Sequence, residues 1–173
     1  EPTSFLNIAL DKPLIASASE AKNLVWACKN YKNGSMVYEQ RLMLEGPAYH
    51  LCGFDVDFLK HYIVSAYTDD QNPSGNVWRI DAPFPSSSFS DVEDVLTQKY
   101  GPPHFRQSFT VKNEYGTELE NPSLTWMGDN VMITVDKISS KVTMGKIRVT
   151  TKSYRDLKET QRKQETEKNL NQF

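Results

Sequence analysis

The 173-residue sequence is short of the residues on which most catalytic and metal-binding motifs depend. It has two cysteines, three histidines and eight glycines, and no two glycines are separated by a single residue. Two cysteines cannot form a four-cysteine zinc site, and glycines so scattered cannot form a phosphate-binding loop. A Gly-x-Ser-x-Gly nucleophile elbow is also absent. The sequence therefore predicts no nucleotide chemistry, no serine hydrolase and no cofactor.

Long apolar runs and a strong net charge are absent as well. The apolar runs are only a few residues long, whereas a helix that spans a membrane needs ~20 apolar residues. Twenty Lys and Arg residues against 22 Asp and Glu residues give a net charge of −2, which does not favour binding to nucleic acid phosphates. Neither a membrane span nor a nucleic acid partner is predicted. The 38% of hydrophobic residues is typical of a globular protein with a core.

The two cysteines, Cys28 and Cys52, are too far apart in sequence for a Cys-x-x-Cys redox motif. The alternatives are a structural disulfide and a pair of buried free thiols. We predict the disulfide, which stabilises a fold by about 3 kcal/mol and requires an oxidising compartment such as the periplasm or the cell exterior. The predicted disulfide therefore implies a periplasmic or secreted protein. Because the chain begins at Glu1 rather than Met, we expect a processed or trimmed product.

Two segments have the pattern of amphipathic helices. Ser17 and Glu20 form a capping box before an apolar stripe over residues 21–31. A second stripe covers residues 89–100 and ends at Gly101, which is followed by two prolines that cannot continue a helix. The two predicted helices lie about 70 residues apart, which suggests an internal repeat.

Each predicted helix is followed by three segments that have the composition of strands. They are rich in β-branched and aromatic residues, and turn residues separate them; the first set is 48–54, 60–67 and 76–80, and the second is 123–127, 131–135 and 146–150. One helix covers three strands poorly, whereas two such units can join their sheets edge to edge and share a layer of helices.

We therefore predict an α+β, two-layer fold. Residues 1–151 form one domain made of two helix-plus-three-stranded-meander units, about 15–84 and 88–151, with a mostly antiparallel sheet and helices on one face. Residues 152–173 contain six basic and four acidic residues and almost no apolar stripe. This composition predicts a charged C-terminal helix or tail.

The segment from Phe89 to Pro103, with Trp126 in a later strand and the closing strand Ile147–Val149, resembles a known pattern of bacterial envelope proteins. It is similar to the helix, Gly-x-Pro stop and strands shared by β-lactamase inhibitor proteins and the small lipoprotein of the outer-membrane assembly machine. The match covers residues 88–151, with a fainter copy over 17–82. The sequence departs from those families by an insertion at 105–121, and the given chain contains no lipidated N-terminal cysteine. The resemblance implies a non-enzymatic periplasmic or secreted domain that binds another protein or an envelope component.

One group of residues offers an alternative function. His50, Asp55, Asp57 and His61 lie within 12 residues of sequence, and a small metal-dependent hydrolase would be centred on His50, Asp57 and His61. Because side chains alternate along a strand, His50 falls out of phase with the other three unless a bulge intervenes. The favoured interpretation places the carboxylates in a solvated turn, with no catalytic residue and no metal.

A binding surface is the favoured alternative to catalysis. If Cys52 faces the helices, alternation places its strand neighbours on the uncovered face of the sheet. The insertion at 105–121, with a turn predicted at 113–116, either covers that face or forms a recognition hairpin. Two arginines occupy matching places in the two meanders, and Arg and Tyr are enriched in binding hot spots. The predicted surface consists of Tyr49, Leu51, Arg79, Arg148, Phe109 and Tyr115.

Overall fold

The computed structural model describes residues 2–6, 8–13, 42–43, 46–51, 56–59, 62, 64–68 and 75–170. The first predicted helix and both cysteines lie outside the described residues. The strands are β1 Ser4–Phe5, β2 Ile8–Ala9, β3 Leu42–Met43, β4 Gly46–Leu51, β5 Val64–Thr68, β6 Val77–Pro85, β7 Phe105–Lys112, β8 Glu118–Met127, β9 Val131–Lys141 and β10 Met144–Thr151. The helices are α1 Phe89–Tyr100, which follows a 3-10 turn at Ser86–Ser88, and α2 Lys152–Leu170.

The described strands form one large sheet and one small hairpin. The large sheet has the order β3-β4-β5-β6-β10-β9-β8-β7, and its described pairings are antiparallel. Among the described strands, β1 pairs with β2 and with no other. The predicted α+β class, with a largely antiparallel sheet, is therefore confirmed. At the centre β6 pairs with β10, where Ala82 lies opposite Ile147.

One face of the large sheet packs against α1. Alternate residues of β6, β8, β9 and β10 are apolar and buried, because successive side chains of a strand point to opposite faces. Phe89, Val92 and Leu96 of α1 belong to the same buried cluster. The strand residues of this cluster include Val64, Ala66, Ile80, Ala82, Phe84, Leu124, Trp126, Ile133, Val135, Ile147 and Val149.

The end of α1 is fixed to β8. Gly101 has a φ of 80°, a value that favours glycine, and its N–H donates to the carbonyl of Thr97 at 2.9 Å. The indole N–H of Trp126 donates to the Gly101 carbonyl at 2.7 Å. The predicted stop at Gly101 is thus where the helix ends, and a buried strand residue holds it there.

We call the face of the large sheet opposite α1 the far face. A bulge in β6 determines which residues of that strand lie on it. The pairing of β5 with β6 shifts between Tyr67 and Thr68, so that Trp78 is the extra residue. A bulge resets the alternation of side chains, and Val77 accordingly joins Ile80 in the core. By register, the far face carries Arg79, Asp81, Lys146, Arg148, Thr134, Asp136, Ser123, Thr125, Phe105, Gln107 and Phe109.

Helix α2 begins directly after β10, and its first turn packs against the sheet through Tyr154. Tyr154 is buried, whereas residues 159–169 are all exposed. The exposed part carries an i,i+4 ion pair between Lys163 and Glu159 at 2.8 Å, of a kind that supports an isolated helix. Neither α1 nor α2, the helices within the described ranges, combines the length and the apolarity that crossing a membrane requires.

We expect Asn121→Ala to lower the free energy of unfolding by about 1–3 kcal/mol. At the end of the β8–β9 pairing, the buried side chain of Asn121 takes the place of a backbone hydrogen-bonding partner. Its Oδ1 accepts from the N–H of Ile138 at 2.7 Å, and its Nδ2 donates to the Ile138 carbonyl at 3.0 Å. Urea unfolding followed by tryptophan fluorescence measures the change. The control is Ser123→Ala, which removes one part-buried hydrogen bond to Asp136. An equal loss of stability in both variants would contradict the role assigned to Asn121.

Candidate functional site

One carboxylate on the far face holds two guanidinium groups. Arg79 donates to Asp81 through Nε at 3.2 Å and Nη2 at 2.8 Å. Arg148, directly opposite Asp81 in the β6–β10 register, donates through Nε at 2.9 Å and Nη2 at 3.2 Å. Each guanidinium thus meets both carboxylate oxygens, which is the strong, geometrically defined form of this interaction. The cluster joins the two central strands of the sheet.

The two arginines differ in accessibility because aromatic side chains enclose only one of them. The guanidinium carbon of Arg79 lies 4.1 Å from the centre of the Tyr67 ring, a cation–π distance, and Nη1 donates to the hydroxyl of Tyr154 at 3.1 Å. The Arg79 side chain is 6% exposed, and that of Arg148 is 37% exposed.

The sequence predicts Arg79 and Arg148 together on an accessible surface. The structure brings them together, but Tyr67 and Tyr154 bury Arg79, so that it ties β5, β6 and α2 to one another. Of the pair, Arg148 is the residue that solvent and a partner can reach.

The arginines also set the ionisation of the cluster. Burial by itself raises the pKa of Asp81, but hydrogen bonds from Arg148 and Arg79, together with their charges, outweigh burial and leave this pKa below its ordinary value. Hydrogen bonding to Asp81 raises the pKa of Arg148. Burial, and next the charge of Arg148, lower the pKa of Lys146. The site therefore contains a fixed anion, two fixed cations and a partly desolvated lysine.

We expect the cluster to make the fold sensitive to acid. Because the pKa of Asp81 is lower in the folded protein than in the unfolded chain, its contribution is fully present above the unfolded value of ~4 and disappears as pH falls through the folded value. Stability measured by urea unfolding from pH 6 down to about pH 2 should fall more steeply below pH ~4 in the wild type than in Asp81→Asn, which cannot titrate. Parallel profiles of stability against pH for the wild type and Asp81→Asn would contradict this expectation.

The predicted recognition hairpin extends the sheet. The segment 105–121 forms β7, a turn and the start of β8, so it does not fold over the far face. The Asn113 carboxamide oxygen accepts from the backbone N–H of Tyr115 at 3.0 Å and of Thr117 at 2.9 Å, which places the turn where the sequence predicts it. Tyr115 at the tip is 84% exposed, and Phe109 on the far face is 53% exposed.

The predicted position of Tyr49 and Leu51 on the uncovered face stays a prediction, because their side chains lie outside the described part of the structure. Tyr49 pairs with Ala66, and Leu51 pairs with Val64. The prediction assumed that Cys52 faces the helices, and Cys52 lies outside the described residues.

The predicted metal group is only partly described. His50 lies in β4 opposite Ser65, and Asp57 is exposed in a turn. Asp55 and His61 lie outside the described residues. Within the described ranges, no three His, Cys, Asp or Glu residues lie close enough together to hold a metal ion.

Sequence reasoning missed three members of the site: Asp81, Lys146 and Tyr154. The spacing of Arg79 and Asp81, two positions apart on one strand, is a signal that both share a face. No comparable signal identifies Tyr154, because α2 reaches Arg79 only through the tertiary fold. A separate open cleft of about 320 Å³ lies beside the end of α1 and includes none of these residues; it is lined by Pro2, Lys99, Tyr100, His104, Trp126, Met127, Gly128, Val131 and Ile133.

Comparisons of the chain with protein-family models, with curated proteins and with solved structures found no match. The resemblance to β-lactamase inhibitor proteins and the outer-membrane assembly lipoprotein therefore stays a prediction.

Proposed function

We propose that this chain is a non-enzymatic protein-binding domain of the periplasm or the cell exterior, and that it contacts its partner with the far face. The observation that carries the proposal is the combination of exposed aromatic and accessible cationic side chains on that face. Phe105 and Phe109 are 51% and 53% exposed, and Arg148 is the accessible arginine of the ion cluster. Aromatic residues and arginine are the residue types enriched in binding hot spots.

The exposed phenylalanines support binding because their placement costs free energy in the isolated chain. A large apolar side chain in contact with water loses the stabilisation that burial provides, about 1.5–3 kcal/mol for a full side chain. Both occupy β7, which is the last strand in the order of the described sheet. A partner that covers this edge would bury both rings.

The strand order supports an origin of the sheet in two copies of one unit. The described order β4-β5-β6 continues directly into β10-β9-β8, so two three-stranded meanders meet through the last strand of each. This arrangement is the one expected when two predicted units join edge to edge. Under this proposal, the far face is one continuous surface to which both units contribute.

A sharper form of the proposal is inhibition of an extracytoplasmic hydrolase, with the β7–β8 hairpin inserted into the target's cleft. The nearly fully exposed Tyr115 at the tip supports this form. Hydrogen bonds from two backbone N–H groups to Asn113 hold the turn, and a preorganised loop loses less conformational entropy on binding.

Site-specific photo-cross-linking in the native host tests the proposal. A photoreactive phenylalanine analogue is placed at Phe109 or Tyr115, and at Gln98 on the exposed side of α1 as the control. We expect a discrete protein adduct from the first two positions and none from Gln98. Adducts from all three positions alike, or from none, would contradict binding through the far face.

The proposed location in the periplasm or at the cell exterior depends on Cys28 and Cys52. We propose that they form a disulfide in the exported protein. Alkylation of the purified, unfolded chain without reductant, followed by intact mass measurement, should leave both cysteines unmodified. Addition of two alkyl groups would contradict the disulfide.

A further inference from the structure

Two cationic side chains lie next to each other on the far face of β10. Lys146 and Arg148 are two positions apart on the strand and therefore share a face. Lys146 lies opposite Asp136 on β9 and Pro83 on β6, and Arg148 lies opposite Thr134 and Asp81. Both side chains are partly exposed.

The carboxylates around this pair already have other partners. Asp81 accepts four hydrogen bonds from the two arginines, and Asp136 accepts the hydroxyl of Ser123 at 2.7 Å. Within the described part of the chain, none of the ion pairs involves Lys146. Counting the described residues alone, the three cations Arg79, Lys146 and Arg148 stand against the two carboxylates Asp81 and Asp136, a net charge of 3 − 2 = +1, although the whole chain carries −2.

A carboxylate brought by a partner would meet favourable conditions here. Burial and the charge of Arg148 lower the pKa of Lys146, which means that the ammonium is less stabilised here than in water. An anion placed between Lys146 and Arg148 would restore that stabilisation. Hydrogen bonds between charged groups in partly desolvated sites are stronger than those between neutral groups.

An apolar contact lies at a defined distance from the cationic pair. The register aligns Phe105, Thr125, Thr134 and Arg148 in one row across β7, β8, β9 and β10. Three strand spacings separate the ends of this row, roughly 14 Å, which an extended chain of about four residues spans. The two threonines between them are half-buried.

We propose that the far face binds an acidic protein segment that crosses the strands, with a carboxylate at Lys146 and Arg148 and an apolar side chain about four residues away against Phe105. This inference rests on the proposed function and specifies the chemistry of the partner. A nucleic acid backbone fits this surface less well, because two accessible cations beside two carboxylates cannot neutralise a run of phosphates.

Selection from a library of random displayed peptides tests the inference while the partner is still unidentified. The full chain is immobilised, and selections are run in parallel on the wild type, on Lys146→Glu, and on Lys99→Glu, whose exposed lysine lies on α1. Wild type and Lys99→Glu should enrich peptides with Asp or Glu about four residues from an aromatic or aliphatic residue. Lys146→Glu should lose the acidic preference.

Fluorescence polarisation with the most enriched peptide then gives the size of the effect. We expect Lys146→Gln, which removes no ion pair, to weaken binding about tenfold, and replacement of the peptide's acidic residue by its amide to have the same effect. Thermal unfolding confirms that each variant is folded. Failure to enrich any sequence, enrichment without acidic residues, or preferential binding of a labelled DNA duplex would each overturn the inference.

The outcomes also separate this inference from the proposed function. A cross-linked adduct at Phe109 with no acidic preference in the selection would leave the domain a protein binder and reject the acidic partner. An acidic preference that depends on Lys146, without any cross-linked adduct in cells, would support carboxylate recognition at Lys146. It would reject the far face as the surface that contacts a partner in the cell.

Discussion

Asp81→Ala should lower the free energy of unfolding by about 3–5 kcal/mol, because it breaks a buried, hydrogen-bonded ion pair by removing one of its partners. The side chain of Arg79 is 6% exposed, and four hydrogen bonds join the two arginines to this carboxylate. Removal of Asp81 takes two hydrogen bonds and a carboxylate charge from the Arg79 guanidinium, and neither the hydroxyl of Tyr154 nor the ring of Tyr67 beside it can replace that charge at neutral pH. Urea unfolding at pH 7 measures the loss.

Two further variants make this expectation specific. Arg106→Ala removes an exposed ion pair with Glu93 between β7 and α1, and exposed pairs contribute about 0–1 kcal/mol. The combined replacement Arg79→Met, Asp81→Leu and Arg148→Met removes the two arginines together with the carboxylate that they share and should recover much of the stability lost in Asp81→Ala, because replacing a whole buried ion network by apolar side chains is often neutral or stabilising. A loss in Asp81→Ala no greater than in Arg106→Ala would show that the cluster does not stabilise the fold.

Phe84→Ala is expected to cost about 3–5 kcal/mol, the range for truncation of a large buried aromatic side chain. Phe84 is fully buried in β6, directly opposite Gly145 of β10. Its ring occupies the space that a side chain at position 145 would fill. A Cβ on Gly145 would lie 2.6 Å from Cε2 of that ring and 2.9 Å from the carbonyl oxygen of Asp136, and both distances are too short for real Cβ contacts.

A double-mutant cycle tests this packing directly. Gly145→Ala alone should cost about 1–3 kcal/mol through overpacking. In the Phe84→Ala background the same substitution should cost less, because the ring is gone and only the contact with Asp136 remains. Gly116→Ala is a contrasting control: no atom lies within 4 Å of the added Cβ, and its cost comes from a φ of 79° alone, so it should be independent of Phe84. Additive effects of Gly145→Ala and Phe84→Ala would contradict the proposed contact.

Several local features follow from the sequence alone because short-range physics specifies them. The apolar period over residues 89–100 and the glycine after it identify α1 and its end. Alternation identifies β8, β9 and β10, although β8 starts at Glu118 rather than at the predicted residue 123. β6 continues to Pro85 beyond the predicted residue 80, because a strand tolerates proline wherever no ladder hydrogen bond is needed.

The far face was less predictable because its members meet only through long-range pairing. Alternation shows that Arg79 and Asp81 share a face, but the partner of Asp81 depends on the pairing of β6 with β10, which brings together residues 67 positions apart. The burial of Arg79 depends on the bulge at Trp78 and on Tyr154 of α2. Neither is visible in the composition of β6.

The amino-acid sequence by itself determined the α+β class, the position of α1, the strand alternation and the turn at Asn113, because hydrophobic period, glycine conformation and side-chain hydrogen bonds act within a few residues. The tertiary structure alone decided which arginine is buried, which is accessible, and that Lys146 lies beside Arg148 without forming an ion pair with any described residue. The physical reason is that desolvation and charge pairing depend on strand register and on the docking of α2, and both are set by contacts between distant parts of the chain.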